Sequence, residues 1–279
     1  MQTTLCSSIS ISGKGLFTGE KVNLTMVPAT ADHGIVFKRI DLNPAVYISA
    51  SIDNVVSTPR CTIIGNEKAT IKTVEHLMSA LSALKIDNLL IEIDGPELPA
   101  CDGSAIQFVE MIEKAKIKEL DSLRKIYRLN KIVQFTKGGT HLIAIPSEEF
   151  QISNTLHYPH SNFLRSQFFS FKLNSSDYKK NIAPSRTFSL YEEIEPMLKK
   201  GLLKGAGLEN GVVIKDEKVA NPGGLRFTDE MVRHKILDLL GDLSLIGKPF
   251  LAHIIAIRSG HFANVEFARE ILNNLTENE

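Results

Sequence analysis

A histidine and two aspartates follow one another at four-residue intervals in residues 233–246, RHKILDLLGDLSLI. The stretch is rich in Leu and Ile and has no proline, which predicts a helix. At about 100° per residue, His234, Asp238 and Asp242 fan over only about 80° of the helix surface. A His and an Asp at i and i+4 can both reach one small cation, although the same pattern is common on a plain helix surface. The metal interpretation requires a third ligand elsewhere in the chain.

His76 is the candidate third ligand, and it follows Glu75 in the segment TVEHLMSAL. A lone histidine among apolar residues is more often a core residue than a ligand. Here a helix with a histidine precedes a strand twice, at His76 and at His234, which indicates two similar halves facing each other. Two histidines and one carboxylate fit zinc with a fourth position left for water. Such a metal lowers the pKa of its water to about 7 and polarises a carbonyl.

The neighbourhood of these ligands offers a general base and a general acid. Glu75 cannot easily ligate together with His76, because adjacent helix positions point about 100° apart, so it is the candidate base. His261 follows Gly260 just past an apolar strand, where a loop could project it into a cleft as an acid or oxyanion partner. Asp242 could keep that imidazole charged and oriented. Taken singly, each of these residues is more often structural than catalytic.

Two more residues belong to the set of candidate catalytic residues. Thr187 offers a hydroxyl to an oxyanion, and Lys235, next to His234, offers a cation to an anionic group. Asp102 is placed like the N-cap of a helix, and a structural role is favoured for it.

The predicted elements alternate between strand-rich blocks and helices, which indicates an α+β protein. Residues 1–55 are strand-rich, and Thr73 caps a helix that runs towards Leu84. Residues 118–125 are charged and mark a domain boundary. In the second half, residues 185–188 open a helix that Pro196 ends late, and the last helix is expected from about Asn264 to Leu275.

Length, charge and cysteine content exclude several classes of protein. The chain has 279 residues, enough for one large or two ordinary domains. Lys+Arg and Asp+Glu are both 32, with no basic block, so a nucleic-acid partner is not expected. Three widely spaced cysteines indicate a reducing compartment. With no signal peptide and no run of about 20 apolar residues, the sequence predicts a soluble, cytoplasmic protein without a transmembrane segment.

Five segments, in order, carry a resemblance to a known family: TVEHLMSAL, PELPACDGSA, SRTF, GLRFTDEMVRHKILDLLGDL and the closing SGH. From about Ile9 to about Leu272 the chain resembles the zinc-dependent UDP-3-O-acyl-N-acetylglucosamine deacetylases of lipid A biosynthesis. The resemblance implies two similar α+β domains, 1–121 and 122–279, each a sheet layered against helices, with the active site between them. It also implies a small insert near 57–70 and a second near 190–222, which lines a passage for an acyl chain.

The resemblance further implies roles for individual side chains. The ligands of Zn²⁺ would be His76, His234 and Asp238. Four side chains would act in catalysis. Glu75 would be the base and His261 the acid, Asp242 would assist His261, and Thr187 would contact the oxyanion. Four would contact the substrate: Phe188 and Lys235 at the sugar nucleotide, and Ile194 and Val213 along the acyl passage. Gly15-Leu16-Phe17 departs from the family, which commonly has His where Phe17 stands.

The implied reaction is hydrolysis of the N-acetyl group of UDP-3-O-acyl-N-acetylglucosamine to acetate and a free amine, the committed step of lipid A biosynthesis. The partner would be this small UDP-linked substrate, and the chain is expected to be a monomer. Two alternatives stay open. One is a zinc amidase for a different acylated amino sugar, and the other is a non-catalytic nucleotide-sugar or lipid-binding module whose histidines are structural.

Overall fold

The computed structural model describes residues 1–277 and confirms the predicted α+β class. The first half contains ten strands and two helices: β1 (Thr3–Leu5), β2 (Ile9–Lys14), β3 (Lys21–Pro28), β4 (Ile35–Arg39), β5 (Val46–Ser49), β6 (Val55–Ser57), β7 (Ile63–Gly65), β8 (Thr70–Lys72), α1 (Glu75–Ala83), β9 (Leu89–Ile93), α2 (Ile106–Ala115) and β10 (Ile117–Glu119). A short 3-10 turn, Ile52–Asn54, precedes β6. The main sheet has the order β2-β3-β9-β4-β5, in which β9 runs parallel to β4 and antiparallel to β3.

The second half repeats the combination of one large sheet with long helices. Its elements are β11 (Tyr127–Leu129), β12 (Val133–Lys137), β13 (Thr140–Pro146), β14 (Gln151–Tyr158), β15 (Arg165–Lys172), α3 (Ser175–Asn181), β16 (Phe188–Leu190), α4 (Tyr191–Lys199), β17 (Val212–Lys215), β18 (Lys218–Val219), α5 (Glu230–Ser244), β19 (Phe250–Ile257), α6 (His261–Leu272) and β20 (Leu275–Glu277). β19 is the central strand, since it pairs with β13, β14 and β11.

Hydrophobic periodicity explains which faces are buried. In β3 every second residue, Val22, Leu24 and Met26, is buried, as a half-buried strand requires. The apolar side of α5 is fully buried: Val232, Ile236, Leu239, Leu240 and Leu243. The polar stripe of α5 is buried as well, because α1 packs against it. An added Cβ at Gly241 would lie 2.1 Å from the carbonyl oxygen of Glu75, so glycine permits this close approach.

Two small sheets occupy the segments predicted to be inserts. Strands β6, β7 and β8 form one three-stranded sheet, and β16, β17 and β18 form another beside α4. In residues 1–277 the structure contains no helix that is long and apolar enough to cross a membrane.

Two predicted helix starts in the first half are wrong. Thr73 has φ 61° and lies outside α1, whose N-cap position is Val74. Asp102 does not cap α2, which begins at Ile106. Its carboxylate instead accepts hydrogen bonds from the backbone N–H and hydroxyl of Ser104, at 3.0 and 2.7 Å. Thr73 has a left-handed backbone conformation, which differs from the extended one typical of an N-cap, and Asp102 lies in a turn that ends before α2 begins.

The second half needs three corrections. Residues 188–190 form β16, because they pair in parallel with β17, and helix α4 begins only at Tyr191. Pro196 lies inside α4 and does not end it. The last helix, α6, begins at His261 and ends at Leu272, so His261 is the first residue of a helix and is not on a loop. Gly260 supplies the extended residue before it.

Candidate active site

The three predicted metal ligands lie together where α1 meets α5. His76 is the second residue of α1, and His234 and Asp238 occupy consecutive turns of α5. One ligand atom from each lies within 4.8 Å of the others, and all three side chains are buried. The Oδ1 atom of Asp238 is 3.2 Å from Nε2 of His234 and 3.7 Å from Nε2 of His76. The i, i+4 pair and the histidine of the other half thus converge on one point.

The protonation states of this cluster fit a divalent cation. Burial, reinforced by His234, lowers the pKa of His76 to about 3, so its imidazole is neutral, as a ligand must be. Burial alone would raise the pKa of Asp238, but His234, Lys235 and His261 hold it well below its usual value. Within the described residues Asp238 Oδ1 is buried without a hydrogen-bond partner. A buried carboxylate oxygen is costly to leave unpaired, and a metal would satisfy it.

The orientation of His234 also fits a metal. Its Nδ1 lies 3.0 Å from the carbonyl oxygen of Ser185, which can only accept, so Nδ1 carries the proton. A metal bound at Nε2 would require that nitrogen to be unprotonated, and Nε2 lies 3.2 Å from Oδ1 of Asp238. A backbone carbonyl that fixes the tautomer of a ligating histidine is a common arrangement in metal sites.

Glu75 lies beside the metal-ligand cluster and is only 2 % exposed. It is the first residue of α1, and its Oε2 accepts a hydrogen bond of 3.0 Å from the backbone N–H of Thr62. Burial raises the pKa of Glu75 to about 8; His261 opposes this shift, and Asp242 and Asp238 add to it. A carboxyl whose pKa is near neutral pH can accept and release a proton during turnover.

His261 faces Glu75, with its Nε2 3.8 Å from Oε1 of Glu75. Its Nδ1 lies 2.9 Å from Oδ2 of Asp242, which also accepts from the Nδ2 atom of Asn264 at 2.8 Å. Burial alone would lower the pKa of His261, but Asp242, Asp238 and Glu75 together raise it to about 9. At neutral pH the imidazole is therefore protonated, and Nε2 can donate a proton.

Most of the residues expected to contact substrate lie around a cavity of about 840 Å³, a volume suited to a small-molecule ligand. Thr187, Phe188, Lys235 and Ile194 line this cavity. Val213 does not belong to the described lining: it lies on β17, where its N–H donates to Oδ1 of Asn221 at 2.9 Å.

Backbone contacts place Thr187 and Phe188 at the cavity wall. The N–H of Thr187 donates to the carbonyl of Gly103 at 2.7 Å, which ties this segment to the loop before α2. The Nζ of Lys235 lies 5.6 Å from the ring centre of Phe188 and 2.7 Å from Oδ2 of Asp238. The ammonium group therefore sits between the metal-ligand cluster and the aromatic wall.

Several residues of the site carry no signal in the sequence, above all Thr62. Thr62 belongs to none of the motifs in the sequence, yet it contacts Glu75, Asp242 and His261. Arg60, two residues earlier, also lines the cavity, as does Phe17, the residue that departs from the family pattern. No spacing rule could have found Thr62, because its partners are on separate elements.

Comparisons with known proteins agree with this geometry. Residues 2–273 match the family model described as UDP-3-O-acyl N-acetylglycosamine deacetylase. The UDP-3-O-acyl-N-acetylglucosamine deacetylase of Chlamydia pneumoniae is 44% identical over 275 residues, covering 98% of each chain. The protein with the same name from Geotalea uraniireducens is 44% identical over 272 residues, covering 98% of this chain and 88% of its own. The resemblance found in the sequence is thereby confirmed, and the chain belongs to the UDP-3-O-acyl N-acetylglycosamine deacetylase family.

Proposed function

We propose that this protein hydrolyses the N-acetyl amide of UDP-3-O-acyl-N-acetylglucosamine, giving acetate and UDP-3-O-acyl-glucosamine, the committed step of lipid A biosynthesis. Family membership supports the reaction class. The observation that carries the proposal is the pairing of Glu75 and His261, 3.8 Å apart, directly beside three buried potential metal ligands. An amide hydrolase needs a base for water and an acid for the leaving nitrogen, and this pair provides both.

The metal is proposed to be zinc, held by His76, His234 and Asp238. Two histidines and one carboxylate are a donor set typical of catalytic zinc. When bound, zinc would supply Lewis-acid polarisation of the amide carbonyl and would lower the pKa of a water molecule to about 7.

Glu75 and His261 divide the proton transfers of the proposed reaction. Glu75 accepts a proton from the water whose oxygen forms the new bond to the carbonyl carbon. His261 stabilises the negative charge that develops on the carbonyl oxygen and then donates the Nε2 proton to the nitrogen as the C–N bond breaks. Glu75 later releases its proton and His261 regains one, so one water is consumed for each amide.

Two other side chains support these steps. Asp242 holds His261 protonated and fixes its ring through the 2.9 Å contact at Nδ1. Thr187, on the cavity wall, is proposed to donate its hydroxyl to the developing oxyanion.

Substrate contacts are proposed around the same cavity. Phe188 and Lys235 would contact the sugar nucleotide, the aromatic ring through an apolar face and the ammonium through an anionic group. The second insert, near 190–222, would line a passage for the acyl chain. Ile194 supports this assignment because it lies on α4 and faces the cavity, and Val213 is proposed further along the insert.

The proposed domain division at residues 121 and 122 follows the sheet pairing. Each described strand pairs only with strands on its own side of that point. The active site would then lie between domains 1–121 and 122–279, with α1 on one side and α5 on the other. A cytoplasmic location suits the cysteines Cys6, Cys61 and Cys101, which are free in the structure. The monomeric state stays a prediction.

The decisive experiment is acetate release from UDP-3-O-acyl-N-acetylglucosamine by Glu75→Ala and His261→Ala, assayed separately. Each should lose on the order of 10²-fold or more in kcat. Thr4→Val is a suitable control, since Thr4 is a buried threonine of β1 whose hydroxyl contacts only the backbone. Near wild-type turnover in both variants would end the assignment.

Two further measurements separate the alternatives. Comparison with a sugar that lacks the acyl chain tests whether the protein is an amidase for a different amino sugar. Metal analysis and a chelator test address the binding-module alternative, which predicts no stoichiometric metal and no effect of the chelator.

A further inference from the structure

We infer that Thr62 is a positioning residue that holds the base Glu75 and the acid His261 in register, acting from the first insert. The inference rests on the proposed function. Thr62 is fully buried and lies between β6 and β7, directly before Ile63. Its N–H contacts the base Glu75, its hydroxyl contacts Asp242, the partner of His261, and its carbonyl accepts from the two residues that lead into α1.

The backbone N–H of Thr62 holds the base. It donates to Oε2 of Glu75 at 3.0 Å, while Oε1 of the same carboxyl faces His261. With one oxygen engaged by Thr62, the other is left free towards His261 and the metal-ligand cluster. The contact therefore fixes which oxygen of Glu75 is available to take a proton.

The hydroxyl of Thr62 positions Asp242, the residue that orients the acid His261. It lies 2.5 Å from Oδ1 of Asp242, and because a carboxylate only accepts, the hydroxyl must donate. Oδ2 of Asp242 is already engaged by His261 and Asn264. Thr62 thus satisfies the remaining oxygen and fixes the plane of the carboxylate that orients His261. Its Oγ1 is also 3.3 Å from Nδ1 of His261.

The carbonyl of Thr62 holds the start of α1. It accepts from the N–H groups of Thr73 and Val74, at 3.0 and 3.4 Å. Helix α1 has no side-chain cap at its N-terminus, so this carbonyl takes part of that role. Glu75 and His76 follow at once, which means that Thr62 also sets the position of the first turn from which both project.

A side-chain substitution can separate these contributions, because it removes only the hydroxyl contact and leaves both backbone contacts. Thr62→Val keeps the β-branched shape but leaves Asp242 Oδ1 without its donor. Thr62→Ser keeps the donor and removes a methyl group. Thr4→Val is the matched control: Thr4 is 2 % exposed, and its hydroxyl donates to the carbonyl of Asn88 at 2.7 Å, away from the described cavity lining.

The test measures kcat and KM for acetate release from the UDP-acyl-sugar. Loss of an orienting contact typically costs 10- to 100-fold, so we expect kcat of Thr62→Val to fall by about that factor with KM changed less than about 3-fold. Thr62→Ser should stay within about 3-fold of the wild-type kcat. Thr4→Val should lose some stability and keep the wild-type kcat. A kcat defect that Ser rescues is not expected from a purely structural role.

A second readout does not depend on turnover. In ¹⁵N-histidine-labelled protein, the Nδ1–H proton of His261 should exchange with solvent faster, and its resonance should shift, in Thr62→Val and not in Thr62→Ser or Thr4→Val. This measurement decides the inference even if the wild-type protein releases no acetate, a result that would count against the proposed function alone.

The inference is overturned by wild-type kcat and an unchanged His261 resonance in Thr62→Val. It is equally overturned if Ser is as impaired as Val, because shape and not the hydroxyl would then be responsible. Should Thr62→Val fail to fold, Thr62→Ala takes its place against Thr62→Ser, with the same expected difference and the same contradicting outcomes.

Discussion

Helices α1 and α5 both begin with a buried glutamate, Glu75 and Glu230, and the two carboxyls have opposite environments. Each is at most 2 % exposed. The pKa of Glu75 is raised to about 8, chiefly by burial. Burial would also raise the pKa of Glu230, but hydrogen bonds from Arg186 and from backbone N–H groups hold it below its usual value.

The difference lies in the partners. Arg186 forms a two-pronged ion pair with Glu230, with Nε 2.8 Å from Oε1 and a terminal guanidinium nitrogen 3.0 Å from Oε2. The N–H groups of Arg186 and Arg226 donate to the same carboxylate. Glu75 has no lysine or arginine within 4 Å among residues 1–277; its contacts are Thr62 and His261.

The comparison indicates how one helix-start position can serve either structure or chemistry. A buried carboxylate that is paired with arginine stays ionised and clamps two segments, here the 184–187 loop and α5. A buried carboxylate without such a partner keeps a pKa near neutrality and remains able to exchange a proton. Substitutions at both glutamates, at Gly241 and at an exposed ion pair would break or sharpen this contrast.

Glu75→Gln should have the largest effect of these substitutions. It should lower activity and leave stability unchanged. Glutamine keeps the shape and the acceptor for Thr62 but cannot take a proton, so kcat should fall by about 10² to 10⁴. The free energy of unfolding should not decrease, because Glu75 has no lysine or arginine partner to lose and its carboxyl, with a pKa of about 8, is largely uncharged at pH 7. Acetate release and urea unfolding of the same preparation check both statements. If the variant lost stability as well as activity, the proposed difference between a catalytic Glu75 and a structural Glu230 would be contradicted.

Glu230→Gln should show the opposite pattern. It leaves the guanidinium of Arg186 buried without its counter-charge, and breaking such a pair typically costs about 3 kcal/mol of unfolding free energy. The measurement is urea unfolding at pH 7 beside the wild type. The folded fraction that remains should keep a kcat near that of the wild type, because Glu230 does not line the cavity as described.

The pH dependence of the Glu230→Gln effect follows from the lowered pKa. Ionised Glu230 stabilises the fold fully above its unfolded-state pKa, about 4.3, and this contribution is lost as pH falls through the lower folded-state pKa. The difference in unfolding free energy between wild type and variant should therefore be constant from pH 5 to 7 and should shrink below about pH 4. A difference that stays constant down to pH 3 would contradict the clamp.

The sequence predicted the site residues on the body of α5 because helical spacing is a local property. His234, Asp238 and Asp242 share one face as soon as the helix forms, and the structure places them together. His76 was found by the same logic, from a second helix with a histidine before a strand. The α+β class followed from the alternation of strand-rich and helical blocks.

Residues at element ends were predicted less well. His261 was expected on a loop but begins α6, since one residue, Gly260, suffices to start the helix. Thr62 was missed because its partners Glu75, Asp242 and His261 are 13, 180 and 199 residues away in the sequence. Such contacts are set by tertiary packing, and no periodicity in the chain reports them.

Gly241→Ala tests the contact that brings the two helices, and so the two halves of the site, together. The new Cβ would meet the carbonyl oxygen of Glu75 at 2.1 Å, a backbone atom that no rotamer change can move away. Overpacking of this kind costs about 1–3 kcal/mol, and the higher helix propensity of alanine offsets up to about 1, so a net loss of about 1–2 kcal/mol is expected. Urea unfolding measures the loss.

The control for Gly241→Ala is Gly223→Ala, where an added Cβ meets no described atom within 4 Å. It should leave the unfolding free energy within about 0.5 kcal/mol of wild type. Gly241→Ala should also lower kcat, because the clash moves Glu75 relative to α5. Equal stability and activity in both alanine variants would mean that the helices can separate without consequence for the site.

The smallest effect is expected at Arg60 and Glu193, an arginine–glutamate pair that lacks the burial of Arg186 and Glu230. Arg60 lies between β6 and β7 and Glu193 lies on α4, with a nitrogen–oxygen distance of 3.1 Å and side chains 44% and 38% exposed. Exposed pairs contribute about 0.2–1 kcal/mol and are weakened by salt. A double-mutant cycle of Arg60→Ala and Glu193→Ala, read by urea unfolding at low and high salt, should give a coupling in that range that declines with salt. A salt-independent coupling close to the loss of unfolding free energy in Glu230→Gln would show that burial does not explain the difference between the two ion pairs. The explanation of the Glu230 pair by burial would then fail.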